Sequence, residues 1–246
     1  MSTVVFLFAH QDDEVGLISL IKKKIDNGYD VVCAFLTDGG SRYKIRNKES
    51  LSVLNKNGVK IENIIFAGKE NNLKDGELSK NTIKLKKWLL NFFKSINNID
   101  SIYVTAYEGG HQDHDALHCA SVIALNEIDL LDDVYQFPLY NKFNCIGRFF
   151  RVLTPLKENG EFINIKLSIH ERLMSVIYCL YYPSQYKTWI GLLPFFILHY
   201  ILNNTLKLQK VSIKRLRERP HSGKLLYESR GFYTWEKFAN DIDSIR

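Results

Sequence analysis

Cysteine and long apolar runs are scarce in this 246-residue chain, and their scarcity excludes several classes of protein. The four cysteines are widely spaced and none forms a CxxC pair, so neither a zinc ribbon nor a disulfide framework is expected. Cys33 and Cys119 lie in apolar stretches, where a small buried side chain is the expected role. This cysteine usage fits a reducing compartment and predicts a cytoplasmic protein.

The apolar segment Ile190–Leu202 is too short to cross a bilayer. It spans thirteen residues and holds Pro194 and His199, whereas a membrane span needs ~20 residues. With the apolar run Val176–Tyr182 and the basic residues that follow, it could lie in the interface of a membrane that carries anionic lipid. We favour the alternative that these helices pack on the core, and keep peripheral membrane association through residues 176–219 as the second interpretation.

The overall composition is that of a folded globular protein. Charged residues make up 24% and apolar residues 46%, which excludes global disorder. The formal net charge of +6 is compatible with an anionic partner such as a phosphorylated sugar, a nucleic acid or an acidic membrane face. No nucleic-acid-reading module is present, so no nucleic-acid partner is predicted.

Apolar runs and helical patterns alternate through the first half of the chain. This βαβαβαβ order predicts an α/β fold with a mostly parallel sheet and helices on both faces. The run Val4–Ala9 has no basic segment before it and predicts a first strand, not a secretory signal. The other predicted strands of this region are Val31–Leu36, Ile64–Ala67, Ile102–Ala106 and Val134–Phe137.

The pattern changes after the fifth predicted strand. Residues 149–153 and 162–167 flank the turn-like sequence Lys157-Glu158-Asn159-Gly160, which predicts a β-hairpin, and helices follow it. The length fits one domain over residues 1–246, with a core over 1–140 and an extension over 141–246 that faces the substrate or a membrane.

Two acid and histidine clusters lie about a hundred residues apart. His10 to Glu14 follows the first predicted strand, and His111 to His114 follows the fourth. Open α/β folds build their sites at the carboxyl ends of strands, so the clusters are expected to meet. His10, Asp13 and His114 then make a three-ligand metal set with an open position. Zinc is the default ion for such a set, and iron or manganese would also suit it.

The remaining members of the clusters suggest the hydrolysis of an amide. Asp12, beside a ligand, is the candidate general base for the attacking water. His111 could donate a hydrogen bond to the oxyanion or act as the acid, and Asp113 could orient one of the histidines, although the sequence does not say which. Glu14 and Asp115 also fit as acids in the first turn of a helix.

These residues resemble the LmbE-like family of de-N-acetylases, also named for PIG-L, whose two motifs are AHPDDE and HPDH. The resemblance covers about the first 125 residues, with AHQDDE at residues 9–14 and HQDH at residues 111–114. Further elements that resemble family motifs are Thr37-Asp38-Gly39, Arg46 with Glu49, Ser184-Gln185 and Tyr227-Glu228.

The resemblance implies a Rossmann-like fold and zinc-dependent removal of acetyl groups from N-acetylglucosamine-type sugars. It assigns His10, Asp13 and His114 as metal ligands and Asp12 as the base. By the same resemblance, His111 stabilises the oxyanion and Arg46 contacts the substrate.

The chain departs from the family pattern at three positions. Gln11 and Gln112 replace both motif prolines, which should loosen the turns. Gly109 stands where some members have a tyrosine, and nothing in the sequence shows that Tyr107 substitutes for it.

Two alternatives accompany this interpretation. The sequence from His114 to His118 mimics the HExxH helix of zinc peptidases, but Asp115 stands where the catalytic glutamate belongs. A sugar-binding or membrane-associated protein with the same fold would have no need of Asp12. We therefore predict a metal-dependent hydrolase that releases acetate from an N-acetylated amino sugar. The apolar and basic carboxyl-terminal half tilts the expected substrate toward a cell-surface or lipid-linked glycan.

Overall fold

A mostly parallel seven-stranded sheet runs through the protein, seen in a computed structural model that describes residues 1–147 and 149–246. The strands are β1 (Thr3–Phe8), β2 (Asp30–Phe35), β3 (Ile64–Phe66), β4 (Ile99–Thr105), β5 (Val134–Phe137), β6 (Tyr140–Asn141), β7 (Arg151–Val152), β8 (Ile163–Lys166) and β9 (Thr205–Lys210). The helices are α1 (Ile18–Asp26), α2 (Tyr43–Lys56), α3 (Ala67–Glu70), α4 (Thr82–Lys94), α5 (Gln112–Glu127), α6 (Ile169–Tyr178), α7 (Tyr186–Leu202), α8 (Leu226–Ser229) and α9 (Trp235–Asp243).

The strand order of the main sheet is β3-β2-β1-β4-β5-β9-β8. From β1 the chain builds outward through β2 and β3, and then returns to the other side of β1 with β4 and β5. Strands β1 to β5 are parallel, while β9 is antiparallel to both β5 and β8. The order therefore reverses between β1 and β4, and in such sheets a crevice opens at the carboxyl ends of those strands. The predicted α/β fold with a mostly parallel sheet is confirmed.

Strand β1 is the centre of the sheet because its side chains are apolar on both faces. Val4, Phe6 and Phe8 pack into one core with residues of α1, α2 and α7. Val5 and Leu7 pack into a second core with residues of α4, α5 and α9. A strand covered on both sides needs a continuous apolar run, not an alternating one, and this is the pattern of the sequence here.

The predicted hairpin between residues 149–153 and 162–167 is wrong. Strand β7 pairs with β6, and β8 pairs with β9, which lies about forty residues farther along the chain. The turn-like Lys157–Asn159 forms a 3-10 turn that ends at Gly160 with φ 101°, and Gln209 on β9 donates to the carbonyls of Leu156 and Gly160. The strand patterning was correct, but a period-two pattern does not specify its partner.

The helix whose first turn was expected to contain Glu14 becomes α-helical only after that residue. Residues 13–17 form a 3-10 helix, and the α-helix begins at Ile18. Asp12 has φ 126°, a backbone conformation outside the helical region, so the chain cannot enter an α-helix directly.

Helix α7 contains the apolar segment 190–202, with Pro194 inside it. Trp189, Phe196 and Tyr200 are buried and belong to the first core. One face of α7 therefore packs on the core, in the way the favoured interpretation expected. Within the two described stretches of chain, no helix combines the length and the apolar composition that crossing a bilayer requires.

His118, on α5, is fully buried. Its Nδ1 lies 2.8 Å from the carbonyl oxygen of Thr105, and its ring stacks on Tyr107. Burial lowers the pKa of His118 from 6.5 to about 4. In the unfolded chain the imidazole binds a proton near pH 6.5, whereas in the folded protein it binds one only near pH 4. The free energy of unfolding therefore decreases as the pH falls from about 6.5 to about 4.

We predict that His118→Asn flattens this pH dependence. The asparagine amide can still donate to Thr105, but it does not titrate. Between pH ~7 and pH ~5 the variant should lose about 2 kcal/mol less unfolding free energy than the parent protein, measured by urea denaturation. His170→Asn, at an exposed histidine, is the control, and equal slopes for parent and His118→Asn would contradict the prediction.

Candidate active site

The two motif clusters meet because β1 and β4 are adjacent and parallel. Leu7 pairs with Val104 near the carboxyl ends of the two strands. His10 lies two residues beyond β1, and the loop after β4 leads to the start of α5. The ring centroid of His10 consequently lies 4.6 Å from that of His111 and 5.1 Å from that of His114.

The three residues predicted as metal ligands converge on one point. Nδ1 of His10 lies 3.1 Å from Nε2 of His114, which in turn lies 3.1 Å from Oδ1 of Asp13. The three ligand atoms fall within 4.8 Å of one another, and all three side chains are buried. Two imidazoles and one carboxylate are a donor set that suits zinc with a position left for water. His10, His111 and Asp113 form a second group within the same distance limit.

Asp113 contacts His10. The sequence alone did not show which histidine this carboxylate would orient. Its Oδ2 lies 3.0 Å from Nε2 of His10, on the side of the ring away from His114. The carboxylate also accepts from the backbone N–H groups of Gly76 and Leu78, at 2.6 and 3.0 Å. Burial raises the pKa of Asp113, but the hydrogen bond from His10 and the nearby imidazoles outweigh it and lower the pKa below its ordinary value. The ionised carboxylate fixes the proton of His10 on Nε2 and leaves Nδ1, which faces His114, without a proton.

Asp12 is held in a strained conformation beside the ligands. Its φ of 126° is rare for a residue with a side chain. Its N–H donates to Oε2 of Glu14 at 2.8 Å, and the hydroxyl of Tyr182 donates to Oε1 of the same carboxylate at 2.7 Å. Burial raises the pKa of Asp12 to about 8, although Arg46, whose Nη2 is 3.6 Å away, opposes the shift. Glu14 therefore braces the turn at Asp12, which its interpretation as a first-turn helix acid had missed.

Asp115 also does more than begin a helix. Its buried carboxylate accepts from the backbone N–H groups of Glu108 and Gly109, and so shapes the loop before His111. Gly110 in this loop has no alternative, because an added Cβ would lie 2.0 Å from the carbonyl oxygen of Tyr140. Burial raises the pKa of Asp115 well above its ordinary value.

His111 is the N-cap of α5. Its Nδ1 accepts from the backbone N–H of Asp113 at 3.2 Å, which leaves Nε2 as the protonated nitrogen of the neutral ring. Burial, together with the charge of His10, lowers the pKa of His111 to about 3. The ring is therefore arranged as a neutral donor, which favours the predicted oxyanion contact over the role of a charged acid.

Arg46 reaches the site from α2. Its Nη1 donates to Oδ2 of Asp75 at 2.7 Å, and its Nη2 donates to the carbonyl oxygen of Gln11 at 3.2 Å. Asp75, which sequence reasoning missed, also lies 3.4 Å from Nε2 of His10. Burial raises the pKa of Asp75, but His10 and Arg46 outweigh it and hold the pKa below its ordinary range. Asp38, in the motif after β2, holds this loop, because its carboxylate accepts from the N–H of Asp75, a contact between distant residues that the sequence does not reveal.

A cleft of about 340 Å³ opens over these residues. It is of a size that suits a small-molecule ligand. Its charged and imidazole lining residues are His10, Asp12, Asp13, Arg46, Asp75 and His111. Its apolar and aromatic lining is formed mainly by Leu139, Tyr140, Trp189, Leu192, Phe196 and Phe232.

The glutamines that replace the motif prolines tie the turns to neighbouring elements. The side-chain amide of Gln11 donates to Asn47 on α2 at 2.8 Å, and that of Gln112 donates to the carbonyl oxygen of Gly76 at 3.2 Å. The expected loosening of the turns is thus opposed by two side-chain hydrogen bonds, the second of which reaches the loop that carries Asp75.

Of the later elements that resemble family motifs, Ser184-Gln185 lies at the cleft, whereas Glu228 makes local structural contacts. Glu49 accepts from the N–H and hydroxyl of Ser184, so the Arg46 helix and the Ser184-Gln185 element lie together, and Gln185 lines the cleft. Glu228 accepts from the N–H groups of Leu225 and Trp235, a local structural contact.

Two residues weighed for the site lie outside it. Tyr107 does not substitute for the missing family tyrosine, because its hydroxyl donates to the carbonyl oxygen of Glu218. Tyr140 lies in the cleft instead, with its ring centroid 5.4 Å from that of His114. Among the described residues, no metal-binding group includes His118, so the peptidase-like pair of His114 and His118 is not formed.

Residues 5–125 match the family model described as PIG-L, GlcNAc-PI de-N-acetylase. This segment belongs to the PIG-L family. The resemblance to LmbE-like proteins is therefore confirmed over about half of the chain. No curated protein sequence is significantly similar to the chain.

Solved structures share the fold at low identity. A zinc-inhibited form of teicoplanin deacetylase Orf2 is 11% identical with a TM-score of 0.63, covering 86% of this chain and 98% of its own. N,N'-diacetylchitobiose deacetylase from Pyrococcus horikoshii, bound to an inhibitor, is 18% identical with a TM-score of 0.52, covering 85% and 84%. GalB, a 4-carboxy-2-hydroxymuconate hydratase from Pseudomonas putida KT2440, is 13% identical with a TM-score of 0.52, covering 87% and 96%. At these identities the likeness establishes the fold alone.

We predict that Asp13→Asn weakens Zn²⁺ binding at least about a hundredfold, because it removes a charged ligand. Asp113→Asn should weaken it about ten- to a hundredfold, because the residue acts through His10. Competition with a chromophoric chelator measures both affinities. Asp12→Asn is the matched control and should change the affinity only a few-fold. An equal loss in Asp12→Asn and Asp13→Asn would overturn the assignment of the ligands.

Proposed function

We propose that this protein hydrolyses the N-acetyl group of an amino sugar and releases acetate and a free amine. The observation that carries the proposal is the buried convergence of His10, Asp13 and His114 beside Asp12, a carboxylate outside the ligand set. The family of residues 5–125 supports an amino-sugar amide as the substrate class.

His10, Asp13 and His114 would hold the metal, and we propose zinc. The donor set fits, because two imidazole nitrogens and a carboxylate oxygen face one point and Asp113 fixes the tautomer of His10. When bound there, zinc supplies a Lewis acid for the acetyl carbonyl and lowers the pKa of water toward ~7.

Asp12 is proposed as the general base. Its carboxylate takes a proton from the water that attacks the carbonyl carbon, and returns this proton to the nitrogen as the C–N bond breaks. Its pKa of about 8 reflects burial and falls when positive charge is placed beside it.

His111 is proposed as a donor to the oxyanion. The neutral ring offers its Nε2–H, since Nδ1 is occupied by the backbone N–H of Asp113. A donor fixed by the start of a helix needs no reorganisation as negative charge develops on the oxygen.

Arg46 and Asp75 are proposed to bind the sugar. Both line the cleft, and together they offer donors and acceptors for hydroxyl groups. Trp189, which also lines the cleft, offers an apolar surface to a ring or to the group attached to it. The sugar and its aglycone are to be identified with a panel of N-acetylated substrates.

We predict that Asp12→Asn lowers the rate of acetate release at least about a hundredfold, which is the usual contribution of a general base. The variant cannot accept the proton of the attacking water. Acetate is measured with a coupled assay on N-acetylated amino sugars, and bound metal is measured in the same samples. Unchanged acetate release at full metal content would remove Asp12 from the proposed role.

Glu14 and Tyr182 should influence the rate through Asp12. Tyr182→Phe removes one bond to the carboxylate that holds the N–H of Asp12, and Glu14→Gln weakens that hold directly. We predict that kcat falls about tenfold in Glu14→Gln and less in Tyr182→Phe, with KM and metal content nearly unchanged.

Tyr178→Phe is the matched control for these two variants. It removes a buried hydroxyl that donates to Asn57, away from the cleft. If Tyr178→Phe and Tyr182→Phe lose activity equally, the effect is one of general stability, and the positioning role fails.

A further inference from the structure

Helix α7 is apolar on its outer face as well as on the face that meets the core. The exposed residues follow a helical stripe and are largely uncovered: Ile190 is 72% exposed, Ile201 68% and Leu202 72%. Ile197 and Leu198 belong to the same stripe and are 40% and 53% exposed. Packing on the sheet explains the buried face alone, and a contiguous exposed apolar surface of this kind indicates an interaction site.

The surface extends toward the segment that precedes α7. Leu180 is 68% exposed, and Tyr181 beside it is 37% exposed. Helix α6 packs against α7 through Arg172, which donates to the carbonyl oxygen of Tyr200, and it exposes Ile169 at its start.

Basic residues lie beside the beginning of this surface. Residues 172–217 contain seven Lys and Arg residues and no Asp or Glu, and Glu171 on α6, just before this segment, is paired with Lys23 at 2.6 Å. Lys56 lies 2.9 Å from the hydroxyl of Tyr181, and Arg42 donates to the carbonyl oxygen of Ser184. Lys187 is exposed in the first turn of α7. The apolar stripe is therefore rimmed by cations at its beginning and carries no negative charge itself.

We propose that the outer face of α7 docks on the surface of a bilayer that contains anionic lipid. Apolar side chains of the stripe enter the interface, and the cations of Arg42, Lys56 and Lys187 lie at the level of the headgroups. Pairing of this face with the same face of a second copy would place cation against cation, since a two-fold interface brings each patch onto itself. A lipid surface satisfies the apolar stripe and its rim together.

The docking face adjoins the cleft. Trp189 and Phe196 on the inner side of α7 form part of the cleft wall, and the outer stripe begins with the next residue, Ile190. Phe232, also on the cleft wall, is 59% exposed. The docked protein would therefore present its cleft beside the lipid surface. Docking itself does not depend on the proposed hydrolysis.

Sedimentation with vesicles tests the proposal. The full chain is mixed with phosphatidylcholine vesicles that contain or lack phosphatidylserine, and the partition coefficient is measured at low and high salt. We expect partition to be at least about tenfold higher on the vesicles with phosphatidylserine, and to fall at high salt. Equal partition on both vesicle types, or none, would overturn the proposal.

A double variant, Ile197→Glu with Ile201→Glu, should reduce vesicle binding at least about tenfold. The matched control is Ile83→Glu, at an exposed isoleucine on α4, which should bind as the parent does. Circular dichroism and Zn²⁺ affinity report whether each variant is folded. If the α7 variant instead dissociates a dimer of a parent protein that does not bind vesicles, the face is an interface between copies and the bilayer proposal is wrong.

Acetate release from a water-soluble substrate, measured without vesicles, separates this proposal from the proposed function. The α7 variant should retain that activity. Vesicle binding by a protein that releases no acetate would support docking and contradict the proposed hydrolysis. Acetate release by a protein that does not bind vesicles would support hydrolysis and contradict docking.

Discussion

The parallel pairing of β1 with β4 is the contact on which the candidate site depends. The two motifs lie about a hundred residues apart, and only the adjacency of their strands brings His10 within 3.1 Å of His114. Both strands are buried on both faces, so their apolar residues fix which strands lie at the centre of the sheet. A one-residue slip in this register would turn the side chains at the strand ends to opposite faces.

The second constraint is the burial of charge. Imidazoles and carboxylates at the centre of the site are almost excluded from water, which is costly unless each is paired. The pairing comes from loops as much as from the motifs: backbone N–H groups at Gly76 and Leu78 bind Asp113, and Glu14 binds the N–H of Asp12. Asp115 does the same for the loop after β4. The buried carboxylates thus fix the conformation of the loops, and the backbone N–H groups of the loops supply the hydrogen bonds that the buried carboxylates need.

The sequence predicted the parts of the protein that depend on local pattern. The strands of the first half, and the meeting of two motifs at their ends, follow from apolar runs and from the topology of parallel sheets. Asp75 and Tyr140 could not be found, because each enters the cleft through a loop whose path depends on distant partners: Asp38 for Asp75, and Glu108 for Tyr140. The pairing of Asp113 with His10 could not be predicted for the same reason, because it depends on contacts between residues that are distant in sequence. The hairpin failed because strand patterning identifies strands and not their neighbours.

Different parts of the chain supply the proposed catalytic residues and the apolar lining of the cleft, so the fold alone does not identify the substrate. A hydratase and two deacetylases share this fold, so the reaction must be argued from side chains. The family segment, residues 5–125, holds the proposed ligand set and the proposed base, while the apolar lining of the cleft comes largely from α7 and Phe232 together with Leu139 and Tyr140. The two parts are not independent, however, because Tyr182 of the extension binds the carboxylate that braces Asp12. A change in the extension that alters substrate choice will therefore also reach the proposed base, unless the contact between Tyr182 and Glu14 is kept.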